Sequence, residues 1–204
     1  LTAEDQNKIK MYKQQVKRES IKKEFTDIED FLSSLELKIT IFENDESIIS
    51  RMSQMTQKTN QFNLTTQRYT EADIRNFIDN LDSNVYAFSV ADKFGDSGVT
   101  GLCIVSNNSK TESAEIDTLL MSCRIIGRNI ESAFMDYVIG KIKEKKIGEL
   151  KAKYIKKLKN DQVKEFYDKC GFKLVDGDES KINYVLSLKD YKPRKIEYIE
   201  VING

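Results

Sequence analysis

The sequence predicts a mixed α/β (α+β) fold, with one central sheet of about six or seven strands, helices on both faces and a helical segment in front. Two observations lead there. The elements run strand, two helices, three strands, helix, strand, helix and one or two strands, an alternation that layers helices on a sheet. Three runs in the middle, Asn84 to Val90, Val99 to Val105 and Glu115 to Met121, are apolar and rich in β-branched residues, as buried strands are.

Residues 3–23 are strongly charged, with only a thin stripe of Ile9, Tyr12 and Val16 and Phe25 beyond it. They read as a helix that packs on something outside the domain. Capping-box spacing from Thr26 to Glu29 opens a short second helix over Asp27 to Leu35. Residues 1–34 are thus a helical appendage and 35–204 the sheet domain. Leu37, Ile39 and Ile41 alternate with Lys38, Thr40 and Phe42 as a first strand. Ser47 to Gln61 reads as a helix with Ile48, Met52, Met55 and Thr59 on one side. Thr70-Glu71-Ala72-Asp73 opens another, with Ile74, Phe77, Ile78 and Leu81 spaced for burial. Gly95-Asp96-Ser97-Gly98 reads as the hairpin turn between the next two strands. After Glu115 to Met121 comes a helical stripe of Ile130, Ala133, Phe134, Tyr137, Val138 and Ile142. A strand over Leu150 to Ile155, a helix from Asn160, strands near Lys173 to Val175 and Ile182 to Leu188, and a short edge strand within Ile196 to Ile202 follow.

The junction Ser122-Cys123-Arg124-Ile125-Ile126-Gly127-Arg128-Asn129-Ile130-Glu131 carries the strongest functional signal. A strand that breaks directly into a helix leaves main-chain N–H groups free at the positive end of the helix dipole. Such a turn holds a phosphate or pyrophosphate, and Gly127 permits close approach. Arg124 and Arg128 add charge on its two sides. The alternative is a purely structural junction. Some thirty residues on, Asn160 stands as an N-cap before the apolar face Val163, Phe166, Tyr167 and Cys170, with Gly171 as a left-handed stop.

Order and spacing together resemble the GNAT acyltransferases. The resemblance implies that Arg124, Ile125, Ile126, Gly127, Arg128 and Asn129 cradle the pyrophosphate of coenzyme A, with Asn129 standing where that family has Gly or Ala. It further implies that Asn160 touches the pantetheine arm and that Tyr167 protonates the departing thiolate.

Between two helices the stretch Gln57 to Thr70 packs amides and hydroxyls, with Phe62, Leu64 and Tyr69 among them. Asn60, Gln61, Asn63, Thr65 and Thr66 are there to line a pocket for a polar substrate, or else to satisfy the loop's own backbone. This stretch, together with Phe88-Ser89-Val90-Ala91-Asp92-Lys93-Phe94-Gly95-Asp96, Ile116-Asp117-Thr118 and Ser122-Cys123-Arg124, is similar to the C-terminal half of the FkbH-like proteins, over roughly Leu1 to Leu188. That resemblance implies work with an acyl carrier protein in methoxymalonyl-type or glycan-precursor biosynthesis. The family's glyceryl loading belongs to an upstream haloacid-dehalogenase-like domain whose Asp-x-Asp-x-Thr motif is not in these residues. The chain, starting at Leu1, reads as a C-terminal portion.

Thirty-three acidic residues balance 33 basic ones, so no net field draws the chain to nucleic acid or membrane. The basic clusters Lys141 to Lys146 and Lys151 to Lys159 read as solvated faces or as a docking patch for an acidic carrier. Cys103, Cys123 and Cys170 fit no metal or disulfide pattern, and no signal or membrane-length run is present; the chain reads as cytoplasmic. Without histidine, a general base must be a carboxylate or a water chain. Glu115 and Asp117, two apart on one strand, share a face and are the candidates. Cys123 is either a transient acyl acceptor or a small filler, and Tyr167 either an acid or packing. Two readings follow: an acyltransferase acting on a thioester of coenzyme A or a carrier, and an idle module that recognises the carrier.

Overall fold

Along the central strands successive side chains alternate between two apolar surfaces, so the middle of the sheet is buried on both sides, while the strands towards its edges bury alternate residues or none. The structure, a computed structural model, describes residues 2–108 and 110–204. Helices α1 (Ala3–Lys22) and α2 (Ile28–Ser34) precede strand β1 (Leu37–Glu43). Helix α3 (Ile49–Lys58), the two-residue β2 (Phe62–Asn63) and α4 (Glu71–Asp79) come next. Strands β3 (Ser83–Asp92), β4 (Gly95–Asn108) and β5 (Ser113–Met121) lead into α5 (Ile130–Glu144). Then follow β6 (Glu149–Ile155), α6 (Phe166–Lys169), β7 (Lys173–Gly177), β8 (Lys181–Ser187) and β9 (Ile199–Asn203).

The strands form one sheet in the order β7-β8-β6-β5-β4-β3-β1-β9, with β2 paired to β5 off this path. β5 with β6 and β1 with β9 are the parallel pairs; the remaining pairs are antiparallel. The expected edge strand of the tail is therefore β9, laid beside β1, and with β2 it brings the sheet to nine strands. On one face Ile49, Met52 and Met55 of α3 and Ile74 of α4 pack on Val85, Ala87, Leu102, Ile104 and Leu120. On the other, Phe134 and Val138 of α5 and Phe166 and Tyr167 of α6 cover Tyr86, Phe88, Cys103 and Leu119.

Local chemistry explains the helix starts. Thr2 and Asp5 form a capping box for α1, Asp27 caps α2, and Thr70 with Asp73 boxes α4. Four expectations are corrected. The β3–β4 hairpin turns at Lys93 and Phe94, since Asp92 pairs with Gly95 and its carboxylate accepts from the N–H groups of Phe94 and Gly95. Residues 95–98 belong to β4, which carries irregular register there. The helix begun near Ser47 ends at Lys58, where Thr59 turns extended. Leu81 is exposed, and the helix expected from Asn160 is a 3-10 turn (Asp161–Val163) followed by the single turn α6.

α1 docks on the domain through a polar face and leaves its thin apolar stripe outward. Ile9, Tyr12 and Val16 point to solvent, while Gln14 and Arg18 are buried against the domain. A Cβ on Gly95 would lie 2.0 Å from Nε2 of Gln14, so glycine lets the helix settle there. Arg18 donates from Nε and Nη2 to the two oxygens of Asp92, at 2.6 and 2.7 Å. A buried ion pair, rather than an apolar stripe, fixes the helix in place.

Candidate functional site

β5 and β6 pair only where Ser113 to Glu115 meet Glu149 to Lys151; beyond that they part. The wedge between them is filled by the chain itself. Phe62 and Asn63 pair with Met121 and Leu120, and Leu64 N–H donates to the Leu119 carbonyl at 3.0 Å. Ile155 N–H donates to the Leu64 carbonyl at 2.8 Å, and Thr65 Oγ1 to the Asp117 carbonyl at 2.9 Å. Phe62 meets Phe166 edge-on with ring centroids 5.4 Å apart. This stretch contains a short strand that pairs along the end of β5 and meets β6 at Ile155.

Asn160 locks it. Its Nδ2 donates to the carbonyls of Asn63 and Ile155, each at 2.9 Å, and its Oδ1 accepts from Lys157 N–H at 2.8 Å and Tyr154 Oη at 3.3 Å. The residue is fully buried and its hydrogen-bonding capacity is spent. The expectations of an N-cap and of an arm-contacting amide are thereby corrected: no side-chain cap bond forms, and no donor is left for a ligand. Asn160→Ala is expected to cost about 3 kcal/mol, since it strands several buried partners; urea denaturation measures it.

On the β5 side of the same open end of the wedge lies the turn. Ile125 and Ile126 N–H close a 3-10 turn on Ser122 and Cys123. Gly127 and Asn129 then take left-handed angles, φ +85° and +60°, and α5 begins. The N–H groups of Gly127, Arg128, Asn129 and Ile130 meet no acceptor among the described residues. Nothing lies within 4 Å of where a Cβ on Gly127 would stand, so the concavity is open. The Asn129 side chain is turned away, donating to Tyr198 Oη at 2.5 Å. Arg124 is exposed beside the turn and reaches the sulfur of Met11 on α1. Arg128 is buried; its Nη2 donates to the Arg124 carbonyl at 3.1 Å, and its Nη1 lies 3.7 Å from Asp92 without a hydrogen bond. Ile125 is a core residue, and Ile126 is exposed.

The proposed acid and base residues are placed elsewhere. Tyr167 is fully buried among Phe166, Phe172 and Tyr184, with its hydroxyl unpartnered and its pKa pushed well above the usual tyrosine range by burial. In this conformation no thiolate reaches it. Glu115 pairs with Lys153, while Asp117 Oδ1 accepts from Tyr69 Oη at 2.7 Å and Thr118 Oγ1 at 2.8 Å. The two carboxylates therefore serve separate contacts rather than a shared site. Burial, and then Asp117, raise the pKa of Tyr69.

The polar loop divides. Asn63 closes on Thr59 and Thr66, Thr65 bonds Asp117, and Thr66 bonds its neighbour's carbonyl. These three serve the fold rather than a substrate. Asn60 and Gln61 instead line a cavity of about 320 Å3 with Arg51, Ser122, Cys123 and Lys159. Cys123 is exposed and also borders a second cavity, between the turn and α1; Cys103 and Cys170 are buried. Sequence reasoning missed the pairing of Arg18 with Asp92 and the part of Lys159. The one available signal was an arginine four residues from Gln14 on a helix whose apolar stripe was too thin to dock it.

No family model matches the chain, and no curated protein matches it. Solved structures do. The PaiA N-acetyltransferase of Thermoplasma acidophilum, in complex with coenzyme A, aligns over 73% of this chain and 98% of its own at 19% identity and a TM-score of 0.54. Ard1 of Thermoplasma volcanium aligns over 73% and 97% at 22% identity and 0.56. A mutant of the spermidine N-acetyltransferase SpeG of Vibrio cholerae aligns over 76% and 97% at 13% identity and 0.57. At such identities the likeness shows the fold: this chain has the GNAT N-acetyltransferase fold. Among the described residues no helix is long and apolar enough to cross a membrane.

Proposed function

We propose that this chain is an acyltransferase-like domain that binds a pantetheine-bearing thioester carrier, coenzyme A or an acyl carrier protein, by the phosphate end of its arm. One observation carries the reading: four consecutive main-chain N–H groups, Gly127 to Ile130, without acceptors among the described residues, in an open left-handed turn at the start of α5. Arg124 beside them adds an exposed positive charge. The coenzyme A held by the Thermoplasma acidophilum structure of the same fold supports it. The motifs shared with FkbH-like proteins give the setting: a cytoplasmic protein of secondary-metabolite or glycan-precursor biosynthesis, serving an upstream haloacid-dehalogenase-like domain.

The filled wedge favours recognition over transfer in this conformation. With Phe62 to Thr65 bonded into it, the arm has no path between β5 and β6, and Tyr167 stays sealed. Calorimetry with acetyl-coenzyme A and with a phosphopantetheinylated carrier protein tests the reading; absence of binding by both sinks it. Turnover alongside binding would show instead that β2 leaves the wedge.

Tyr167→Phe separates the two roles. If the closed arrangement is the working one, removing an unpartnered buried hydroxyl raises stability by about 1 kcal/mol and leaves ligand affinity unchanged. If Tyr167 acts as an acid, turnover drops by about 100-fold. Thermal melts and an acyl-transfer assay on the same preparation read both.

A further inference from the structure

Cys123 borders two cavities, and the one that α1 does not line lies between α3, the loop at 59–62 and Lys159. It holds about 320 Å3, at the small end of the ~300–1,000 Å3 of ligand sites. Three cations stand on its wall, Arg51 and Lys58 of α3 and Lys159 of the loop after β6, and no carboxylate lines it. Neither lysine forms an ion pair among the described residues. A neighbouring cavity of about 470 Å3 shares Asn60 and Lys159 with it, adds Arg68 and Lys157, and again has no acidic wall. In a chain whose charges balance overall, five cations without an acid make a local positive field.

Arg51 gives that field a fixed point. Its Nε donates to the Val99 carbonyl at 3.0 Å and its Nη1 to Gln54 Oε1, while Nη2 has no acceptor among the described residues. Burial, and then the charge of Arg124, lower its pKa, so its protonated form gains from an anion placed beside it. Met55 and Phe62 supply apolar surface for a short carbon chain, and the amide of Gln61 supplies a neutral donor. A diffuse basic surface would suit an acidic protein. A pinned guanidinium in a concavity of this size suits a small molecule. We infer that this cavity takes a small organic anion, a carboxylate or a phosphate monoester, so that the second ligand of the domain is an acid. That the anion is the partner of a thioester rests on the turn binding its carrier; the preference of the cavity for anions does not.

The test is calorimetry on the full chain, at constant ionic strength, with glycerol 3-phosphate, succinate and spermidine, each with and without saturating acetyl-coenzyme A. At least one of the anions is expected to bind and spermidine is not; which anion binds tells phosphate from carboxylate. Lys58→Gln combined with Lys159→Gln, both at exposed positions, is expected to weaken the anion by about tenfold, the worth of one charge-assisted contact. Thermal unfolding of that variant should match the parent. Acetyl-coenzyme A should not displace the anion. Failure of both anions, displacement by acetyl-coenzyme A, indifference to the lysine changes, or tighter binding of spermidine would each overturn the inference. An oligoglutamate peptide that binds through the lysines where the small anions do not would overturn it too, in favour of a protein-docking face. If acetyl-coenzyme A binds and the anions do not, the inference falls and the role of the turn stands. If the anion binds through the lysines and neither carrier binds, the site stands and the proposed function falls.

Discussion

Gly127→Glu loses the carrier. The substitution meets no steric obstacle, because nothing lies within 4 Å of the new Cβ. It does force an L side chain to hold φ +85°, at about 1–2 kcal/mol of stability. The new carboxylate stands within the turn that leaves the N–H groups of Gly127 to Ile130 without acceptors among the described residues, so it competes with a phosphate for them and repels any that approaches. An affinity loss of about 100-fold or more is expected, roughly 2.7 kcal/mol. Gly127→Ala is the control: it bears the same backbone strain without the charge and should keep affinity within about threefold. Calorimetry on both variants with acetyl-coenzyme A decides it. If Gly127→Glu binds like the parent, the turn has no part in recognition.

Asp92→Ala should be the most damaging single change to stability. Its carboxylate holds Arg18 bidentately, stands 3.7 Å from Arg128, and accepts from the N–H groups of Phe94 and Gly95 in the β3–β4 turn. Removing it leaves two buried guanidinium groups uncompensated, an expected loss of about 3–5 kcal/mol. In a chain of this size that lowers the melting temperature by roughly 10 °C. Because Arg18 is what fixes α1, residues 3–22 should become the first site of proteolysis. Asp92→Asn keeps an acceptor for the turn N–H groups and removes only the charge, so it should recover part of the loss. A variant as stable as the parent, with α1 still protected, would show that the helix is held by something other than this pair.

How far the fold was legible follows from what local rules govern. Strand alternation at Leu37, Ile39 and Ile41, the apolar stripe of α5 and the boxes at Thr70 and Asp73 all act within a few residues, and each stands where the sequence places it. The turn at 123–129 was readable for the same reason: Gly127 and Asn129 suit left-handed angles and a helix follows at once. The hairpin was misplaced because Asp92 can close a tighter turn than the glycines at 95 and 98 advertise. Asn160, Asn63, Thr65 and Asp117 carried the residue types of a polar site, yet every one of them bonds to the protein itself. A donor looks the same in sequence whether it awaits a ligand or holds a neighbouring strand.

By itself, then, the sequence determined the order of the elements, the two-faced burial of the central strands and the left-handed turn before α5, because these depend on periodicity and on the angles a few residues prefer. Three matters waited for the tertiary structure: that Phe62 to Thr65 lie in the wedge between β5 and β6, that Tyr167 is sealed, and that α1 docks by Arg18 on Asp92 with its apolar stripe outward. Each joins residues tens of positions apart. Which of many polar groups finds which partner depends on the whole packing, since every buried donor and acceptor must be matched at once.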